Sequence, residues 1–119
     1  MITAVRVYEE SIPKKGYRIL VDRLWPRGIS KDKLELDRWM KEIAPSDELR
    51  KWYAHQPDRW NEFRSKYFNE LDKNPLTLEL LEICRSRDTI FLYSSKVKDI
   101  NNAAALKEYV GGASLVDIY

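Results

Sequence analysis

Two short apolar runs constrain the fold of this 119-residue chain more than any other feature. One is Ile19-Leu20-Val21, and the other lies within Asp88 to Tyr93 (DTIFLY). Both are short, bounded by polar residues and rich in residues that favour strands. We therefore predict two buried strands, at about Tyr17 to Asp22 and at Asp88 to Tyr93, and expect the second to be central in its sheet.

The segment before the first run predicts a further strand. Thr3 to Tyr8 (TAVRVY) alternates apolar and polar residues. The loop from Glu9 to Gly16 has only eight residues, whereas a parallel crossover usually needs about a dozen or more. The strands on either side of this loop are therefore either antiparallel or not direct neighbours. Ser114 to Tyr119 is a candidate for a short edge strand.

Helical spacing of apolar residues predicts five helices between and after the strands. Ser30 and Ser46 are candidate N-caps for the first two, and Gly111-Gly112 is expected to end the last. The predicted ranges are about Lys31 to Ile43, Asp47 to about Ala54, Trp60 to Leu71, Leu76 to about Ser86, and about Asn101 to Tyr109. These elements predict an α/β fold, with a small mixed or parallel sheet of three to four strands covered by about five helices, in a single domain over residues 1–119.

Composition excludes several classes of protein. No apolar run approaches the roughly 20 residues that span a bilayer, and residues 1–8 do not resemble a signal peptide, so we expect a cytoplasmic protein without a membrane partner. Cys84 lies in a leucine-rich stretch and is interpreted as an inert thiol. No cysteine or histidine cluster has the spacing of a zinc site, and the sequence identifies no cofactor and no oligomeric state.

Positive charge gathers around the end of the second strand. Residues 14–33 contain seven lysines and arginines but only two aspartates, although the net charge of the chain is only +2. A local excess of this kind suits an anionic partner, either a small anionic ligand or a nucleic acid. A solvated, lysine-rich loop is the alternative for Lys14, Lys15, Lys31 and Lys33.

Candidate ligand-binding residues follow the two buried strands. In open α/β sheets, ligands bind beyond the carboxyl ends of the strands, so parallel strands would bring both sets to one crevice. Arginine can hold a phosphate or carboxylate with two parallel hydrogen bonds, and helix-start amides would add donors. The candidates are Asp22, Arg23, Trp25 and Arg27 after one strand, and Ser94, Ser95, Lys96, Asn101 and Asn102 after the other.

Each candidate also has a purely structural interpretation. Asp22 can pair with Arg23 or another arginine, and Trp25 can pack on Pro26 instead of stacking on a ligand. Gly28 is expected to supply only a backbone turn. His55, the single histidine, follows a predicted helix end, where its charged form would suit the helix dipole. The aromatic residues of the middle helices match a core stripe, with a stacking surface as the alternative.

The motif Val21-Asp22-Arg23-Leu24-Trp25-Pro26-Arg27-Gly28 resembles the domain of unknown function 488 family, in its short YeaO-like branch. The resemblance covers nearly the whole chain and implies an α/β domain whose shared polar residues meet at strand ends, without supplying a reaction. Further matching segments are Trp39, Ala44-Pro45-Ser46, Leu49 to Trp52, Trp60 to Phe63, Tyr67, Glu70-Leu71, Phe91 to Tyr93 and Asn101 to Leu106.

One departure from the family pattern bears on chemistry. Members of the family often carry Asn-His-Ala where this chain has Asn101-Asn102-Ala103, and an amide cannot take up a proton near pH 7. The sequence thus leaves three hypotheses open. The chain is a small enzyme or binding domain for an anionic ligand such as a nucleotide or phosphorylated metabolite, a nucleic-acid-binding accessory protein, or a non-catalytic interaction module that uses exposed aromatic residues.

Overall fold

A computed structural model describes the backbone of residues 1–9 and 11–116 and the side chains up to residue 112. Four parallel strands form one sheet in the order β1-β4-β2-β3. Its strands are β1 (Ile2–Arg6), β2 (Tyr17–Leu20), β3 (Arg38–Trp39) and β4 (Thr89–Tyr93). The predicted α/β class is confirmed. The central β4 separates β1 from β2, which is one of the two arrangements that the short loop between them allowed.

Five α-helices accompany the sheet within the described residues. They are α1 (Lys31–Leu34), α2 (Asp47–Tyr53), α3 (Trp60–Lys73), α4 (Thr77–Ser86) and α5 (Asn102–Val116), with 3-10 turns at Lys41–Ile43 and Pro57–Arg59. Both predicted serine caps are confirmed, because the Ser30 hydroxyl accepts from the Lys33 amide and the Ser46 hydroxyl from the Leu49 amide. No helix among these residues is long and apolar enough to cross a membrane.

Both faces of the sheet are covered, as alternate side chains of the central strands show. Ile19 and Phe91 lie in the larger core cluster, with apolar side chains of α2 to α5. Leu20 and Leu92 point to the other face, where they join a smaller cluster that includes Leu34 of α1. Burial on both faces explains why these strands are continuous apolar runs rather than alternating ones.

The aromatic residues of the middle helices confirm the predicted core stripe. Tyr53, Phe63 and Tyr67 are buried, and the rings of Tyr53 and Phe63 stack with centroids 4.4 Å apart. The hydroxyl of Tyr67 donates to the carbonyl of Ile43 at 2.7 Å. Burial raises the pKa of Tyr67 far above its usual value, so this hydroxyl remains a donor.

The predicted helix from Lys31 to Ile43 is wrong beyond its first turn. Glu35 adopts a left-handed conformation with φ 49° and ends α1, and Arg38–Trp39 pairs with β2 instead. The amide of Met40 donates to Leu20, and the carboxylate of Asp37 accepts from the amide of Arg18. Pairing with a buried strand therefore overrides the helical spacing of the apolar residues.

The predicted end of the last helix is also wrong. The helix α5 continues through Gly111-Gly112 to Val116, since glycine permits a left-handed stop but does not require one. The proposed edge strand from Ser114 is excluded over 114–116, and residues 117–119 lie outside the described residues. By contrast, Gly28 has a φ of 74° and supplies the backbone turn expected of it.

Candidate anion-binding cavity

A cavity of about 510 Å³ opens at the carboxyl edge of the sheet. Because β2 and β4 are parallel neighbours, the segments that follow them meet there, as predicted. All nine candidate ligand-binding residues line this cavity. Its lining is Arg6, Tyr8, Asp22, Arg23, Leu24, Trp25, Pro26, Arg27, Ala44, Pro45, Arg50, Tyr53, His55, Phe63, Ser94, Ser95, Lys96, Ile100, Asn101 and Asn102.

Asp22 binds neutral groups and not an arginine. One carboxylate oxygen accepts from the Ser94 amide at 2.9 Å and from the Ser94 hydroxyl at 2.7 Å, and the other accepts from the side-chain amide of Asn102 at 3.0 Å. The same amide donates to the carbonyl of Val21. The expected pairing of Asp22 with Arg23 or another arginine is therefore wrong. We call Asp22, Ser94 and Asn102 the paired network, which joins the ends of β2 and β4 to the start of α5.

Arg23 mainly contacts backbone carbonyls. Its guanidinium donates to Ala44 at 3.2 Å and to Pro45 at 3.4 Å, and its Nε lies 3.9 Å from the carboxylate of Asp47. This contact fixes the segment between β3 and α2 against the end of β2. Arg23 thus has a structural role, and a single distant carboxylate does not saturate its charge.

Arg27 has spare hydrogen-bonding capacity. Its side chain is exposed and makes no hydrogen bond or ion pair with any residue that the structure describes. Its backbone is held, because the hydroxyl of Tyr8 donates to the Arg27 carbonyl at 2.9 Å. Lys96 is likewise exposed and unpaired within the described part of the chain.

Arg6 is a further cavity residue that sequence reasoning missed. Its Nε donates to the carbonyls of Ser94 and Ser95 at 3.3 and 3.0 Å, and its guanidinium lies 4.7 Å from the ring centroid of Tyr8. The two terminal nitrogens bind no described residue. The sequence could have indicated this residue, because a first strand parallel to β4 places Arg6 opposite Tyr93, directly before Ser94. We call Arg6, Arg27 and Lys96 the open cation group.

The remaining candidates are used within the protein. Asn101 is buried, and its amide oxygen caps α5 by accepting from the Ala104 amide. The Ser95 hydroxyl accepts from the Val97 amide. The indole nitrogen of Trp25 donates to the carbonyl of Ile29, and its ring meets Trp39 edge to face at 5.4 Å. These contacts favour the structural interpretation of Trp25.

Residues of α2 and of the segment after it also line the cavity, and the sequence did not indicate them. Arg50 lines the cavity while its guanidinium lies 3.3 Å from Asp47. His55 follows the end of α2 with φ 56° and also lines it. Burial raises the pKa of the Tyr53 hydroxyl, which donates to the carbonyl of Ile100 at 3.1 Å.

The lining is strongly cationic. Five of the described lining residues are lysine or arginine, whereas Asp22 is the single carboxylate among them. No described cluster of three or more histidines, cysteines or carboxylates could hold a metal ion. Cys84 is half-buried and does not line the cavity, and desolvation raises the pKa of its thiol, which opposes formation of a reactive thiolate.

Comparisons with known proteins place the chain in a family. The matching family model is described as the inactive DUF488-N3 subclade and spans residues 1–115. The uncharacterized protein YeaO of Escherichia coli is 42% identical over 110 residues, which cover 92% of this chain and 96% of that protein. An uncharacterized protein of Mycobacterium tuberculosis is 39% identical over 111 residues, covering 93% and 94% respectively.

The comparison with solved structures found no significant match. The family assignment therefore depends on sequence, and it agrees with the resemblance of the VDRLWPRG motif and with the α/β fold. The chain belongs to the DUF488-N3 family, in the subclade described as inactive.

Proposed function

We propose that this protein is a non-catalytic binding protein for a small anionic ligand, which occupies the cavity at the carboxyl edge of the sheet. The observation that carries the proposal is the unpaired guanidinium of Arg27, on a backbone fixed by Tyr8. Such a group has all its donors available for a phosphate or carboxylate. Arg6 adds two further nitrogens from a side chain whose Nε is already anchored.

Electrostatics support an anionic ligand. Among the residues that the structure describes, five basic side chains and a single carboxylate line the cavity, and that carboxylate already accepts three hydrogen bonds. Like charges held near each other repel, and a bound anion removes that repulsion. A bound anion would therefore relieve repulsion within the open cation group. The paired network has no such repulsion to relieve.

The same contacts argue against catalysis. Asp22 is a carboxylate that could act as a general base, but one of its oxygens already accepts from Ser94 and the other from Asn102. Asn102 itself cannot exchange a proton near pH 7. The description of the subclade as inactive agrees with a site that binds but does not react.

The charge excess offers less support for the nucleic-acid alternative. Arg18 is buried and donates to the carbonyls of Leu34 and Pro13, and Arg23 also contacts carbonyls, so two of the seven local charges are used internally. Nucleic-acid binding would weaken steeply with rising salt through counterion release. A steep salt dependence for binding to a generic oligonucleotide would favour that alternative over ours.

The test uses inorganic phosphate as the probe and the indole N–H signals of the four tryptophans as the readout, in two-dimensional NMR. Trp25 lines the cavity, whereas Trp52 does not. We expect phosphate to shift the Trp25 signal with a millimolar dissociation constant and to leave Trp52 in place, with sodium chloride at equal ionic strength as the reference.

Variants of Arg27 make the test specific. Arg27→Met should weaken phosphate binding about tenfold or more, and Arg27→Lys should recover only part of it, because lysine keeps the charge but not the planar fork. Lys14→Met is the matched control, since Lys14 is exposed and lies outside the cavity. Equal effects of Arg27→Met and Lys14→Met would contradict the proposal.

A further inference from the structure

The cavity has an apolar side as well as a cationic one. Its apolar lining residues include Ala44, Pro45, Tyr53, Phe63 and Ile100. The rings of Tyr53 and Phe63 stack on each other and belong to the main core. A ligand that fills this cavity therefore meets fixed apolar surface in addition to the open cation group.

Leu24 is the most informative apolar residue of the lining. It is 64% exposed although it is a large aliphatic side chain. Among the exposed large hydrophobic residues within the described part of the chain, only Tyr8 and Leu24 line the cavity. Leu24 contributes little to the core, so its apolar surface is available to a ligand.

The neighbours of Leu24 hold its backbone in place. Arg23, on one side, donates to the carbonyls of Ala44 and Pro45. Trp25, on the other side, donates to the carbonyl of Ile29 and packs against Trp39. An exposed leucine on a backbone fixed from both sides is preorganised, so a ligand that covers it bears little ordering cost.

The described lining residues offer a sugar little free carboxylate capacity. Hydroxyl pairs of a ribose are commonly held by a free carboxylate, and Asp22 is the only carboxylate in the part of the lining that the structure describes. Its two oxygens already accept from the Ser94 amide, the Ser94 hydroxyl and Asn102. Three of its roughly four lone pairs are therefore used, so Asp22 can accept from at most one hydroxyl of a ribose, and the second hydroxyl of the pair would lack a carboxylate partner.

We infer that the ligand is an organic anion with an apolar body, of the aryl phosphate or aryl carboxylate class, and not a nucleotide or sugar phosphate. Its anionic head binds the open cation group, and its apolar body covers Leu24 and the lining surface of Tyr53 and Phe63. The inference rests on the proposed function, because it specifies the ligand of the same cavity. The volume of about 510 Å³ lies within the usual range for small-molecule sites.

The experiment compares three probes by calorimetry or NMR titration at one pH and ionic strength: inorganic phosphate, phenyl phosphate and ribose 5-phosphate. We expect phenyl phosphate to bind about tenfold to a hundredfold more tightly than inorganic phosphate, from burial of its ring. Ribose 5-phosphate should bind no more tightly than inorganic phosphate.

A matched pair of variants tests whether the tighter binding of phenyl phosphate depends on Leu24. Leu24→Ser should weaken phenyl phosphate binding severalfold more than it weakens inorganic phosphate binding. Leu78→Ser is the control, because Leu78 is 72% exposed but lies on α4 outside the cavity. We expect it to change neither affinity.

The outcomes separate this inference from the proposed function. If the three probes bind equally and Arg27→Met weakens all of them, the anion site stands and the apolar-body inference is wrong. Tighter binding of ribose 5-phosphate than of phenyl phosphate, or equal effects of Leu24→Ser and Leu78→Ser, would also overturn the inference. If phenyl phosphate binds but Arg27→Met has no effect, the anion site is wrong. Absence of binding by every probe would overturn both.

Discussion

The paired network and the open cation group lie at the same sheet edge but use their hydrogen-bonding capacity differently. Asp22, Ser94 and Asn102 direct their polar atoms at one another. Arg27 and Lys96 bind no described residue, and Arg6 donates hydrogen bonds to described residues only through its Nε. Polar residues that satisfy each other stabilise the fold, whereas anchored residues with unused donors are available to a ligand. The site hypothesis therefore depends on unused capacity and not on polarity alone.

Removing the centre of the paired network should have the largest effect on stability. Asp22→Ala deletes the acceptor of three hydrogen bonds, which leaves the Ser94 amide without its partner and the side-chain amide of Asn102 with only the carbonyl of Val21. We expect the free energy of unfolding to fall by about 2–3 kcal/mol, measured by urea denaturation. Asp99→Ala is the control, since Asp99 is exposed in the following loop. A loss for Asp22→Ala as small as that of the control would mean that the network does not stabilise the strand ends.

Titration of Tyr67 should make the stability of the protein depend on alkaline pH. Its hydroxyl binds Ile43, next to the Ala44-Pro45 segment that Arg23 contacts. The folded-state pKa of this hydroxyl is raised above its usual value of 10.0 because the ring is buried. The unfolded state therefore loses its proton first, so the contribution of Tyr67 is complete below about pH 10 and is lost as the pH rises.

We expect the free energy of unfolding to fall above pH 10 by about 1.4 kcal/mol per pH unit from this group. Urea denaturation at a series of pH values would measure the slope. Tyr67→Phe should reduce the slope of the free energy of unfolding above pH 10. The same change removes the hydrogen bond to Ile43 and therefore lowers stability at neutral pH. An unchanged slope in Tyr67→Phe would show that other groups cause the alkaline loss. Tyr17→Phe serves as the control.

Arg23 should contribute more to the stability of the fold than to ligand binding. Arg23→Met keeps the aliphatic stem but removes the bonds to Ala44 and Pro45, which are long at 3.2 and 3.4 Å. We expect a loss of about 1–2 kcal/mol in the free energy of unfolding. We also expect a smaller effect on phosphate affinity than that of Arg27→Met. The opposite ranking in the two assays would reassign Arg23 to the ligand site.

The sequence predicted where polar residues would meet, but not how they would pair. Short apolar runs such as Ile19 to Val21 have few alternatives to a buried strand, so the sheet edge could be found from them. Asp22 and Arg23 are adjacent in sequence, yet consecutive residues of an extended chain point in opposite directions. The partners of Asp22 come from 72 and 80 residues away, beyond the reach of local patterns.

The edge strand β3 could not be predicted for a different reason. Leu36, Trp39, Met40 and Ile43 fit a helical period by coincidence, and the two-residue strand exists only because it pairs with β2. Its surroundings add further bonds, including the ion pair of Arg38 with Glu79 at 2.6 Å. These bonds form between segments distant in sequence, and such contacts override local preference.

The smallest stability effect should come from the residue with the largest role in binding. Arg27 is exposed, and its side chain contacts no described partner, so Arg27→Met should change the free energy of unfolding by less than about 0.5 kcal/mol. The change is expected to be neutral or slightly stabilising, because it removes one of five cations from the cavity. Urea denaturation without phosphate measures this change, with Lys14→Met as the control.

A loss of 1 kcal/mol or more for Arg27→Met alone would mean that Arg27 supports the fold, and the contrast with the paired network would then disappear. Added phosphate should stabilise the parent protein more than the variant, because a ligand that binds only the native state raises its stability in proportion to site occupancy.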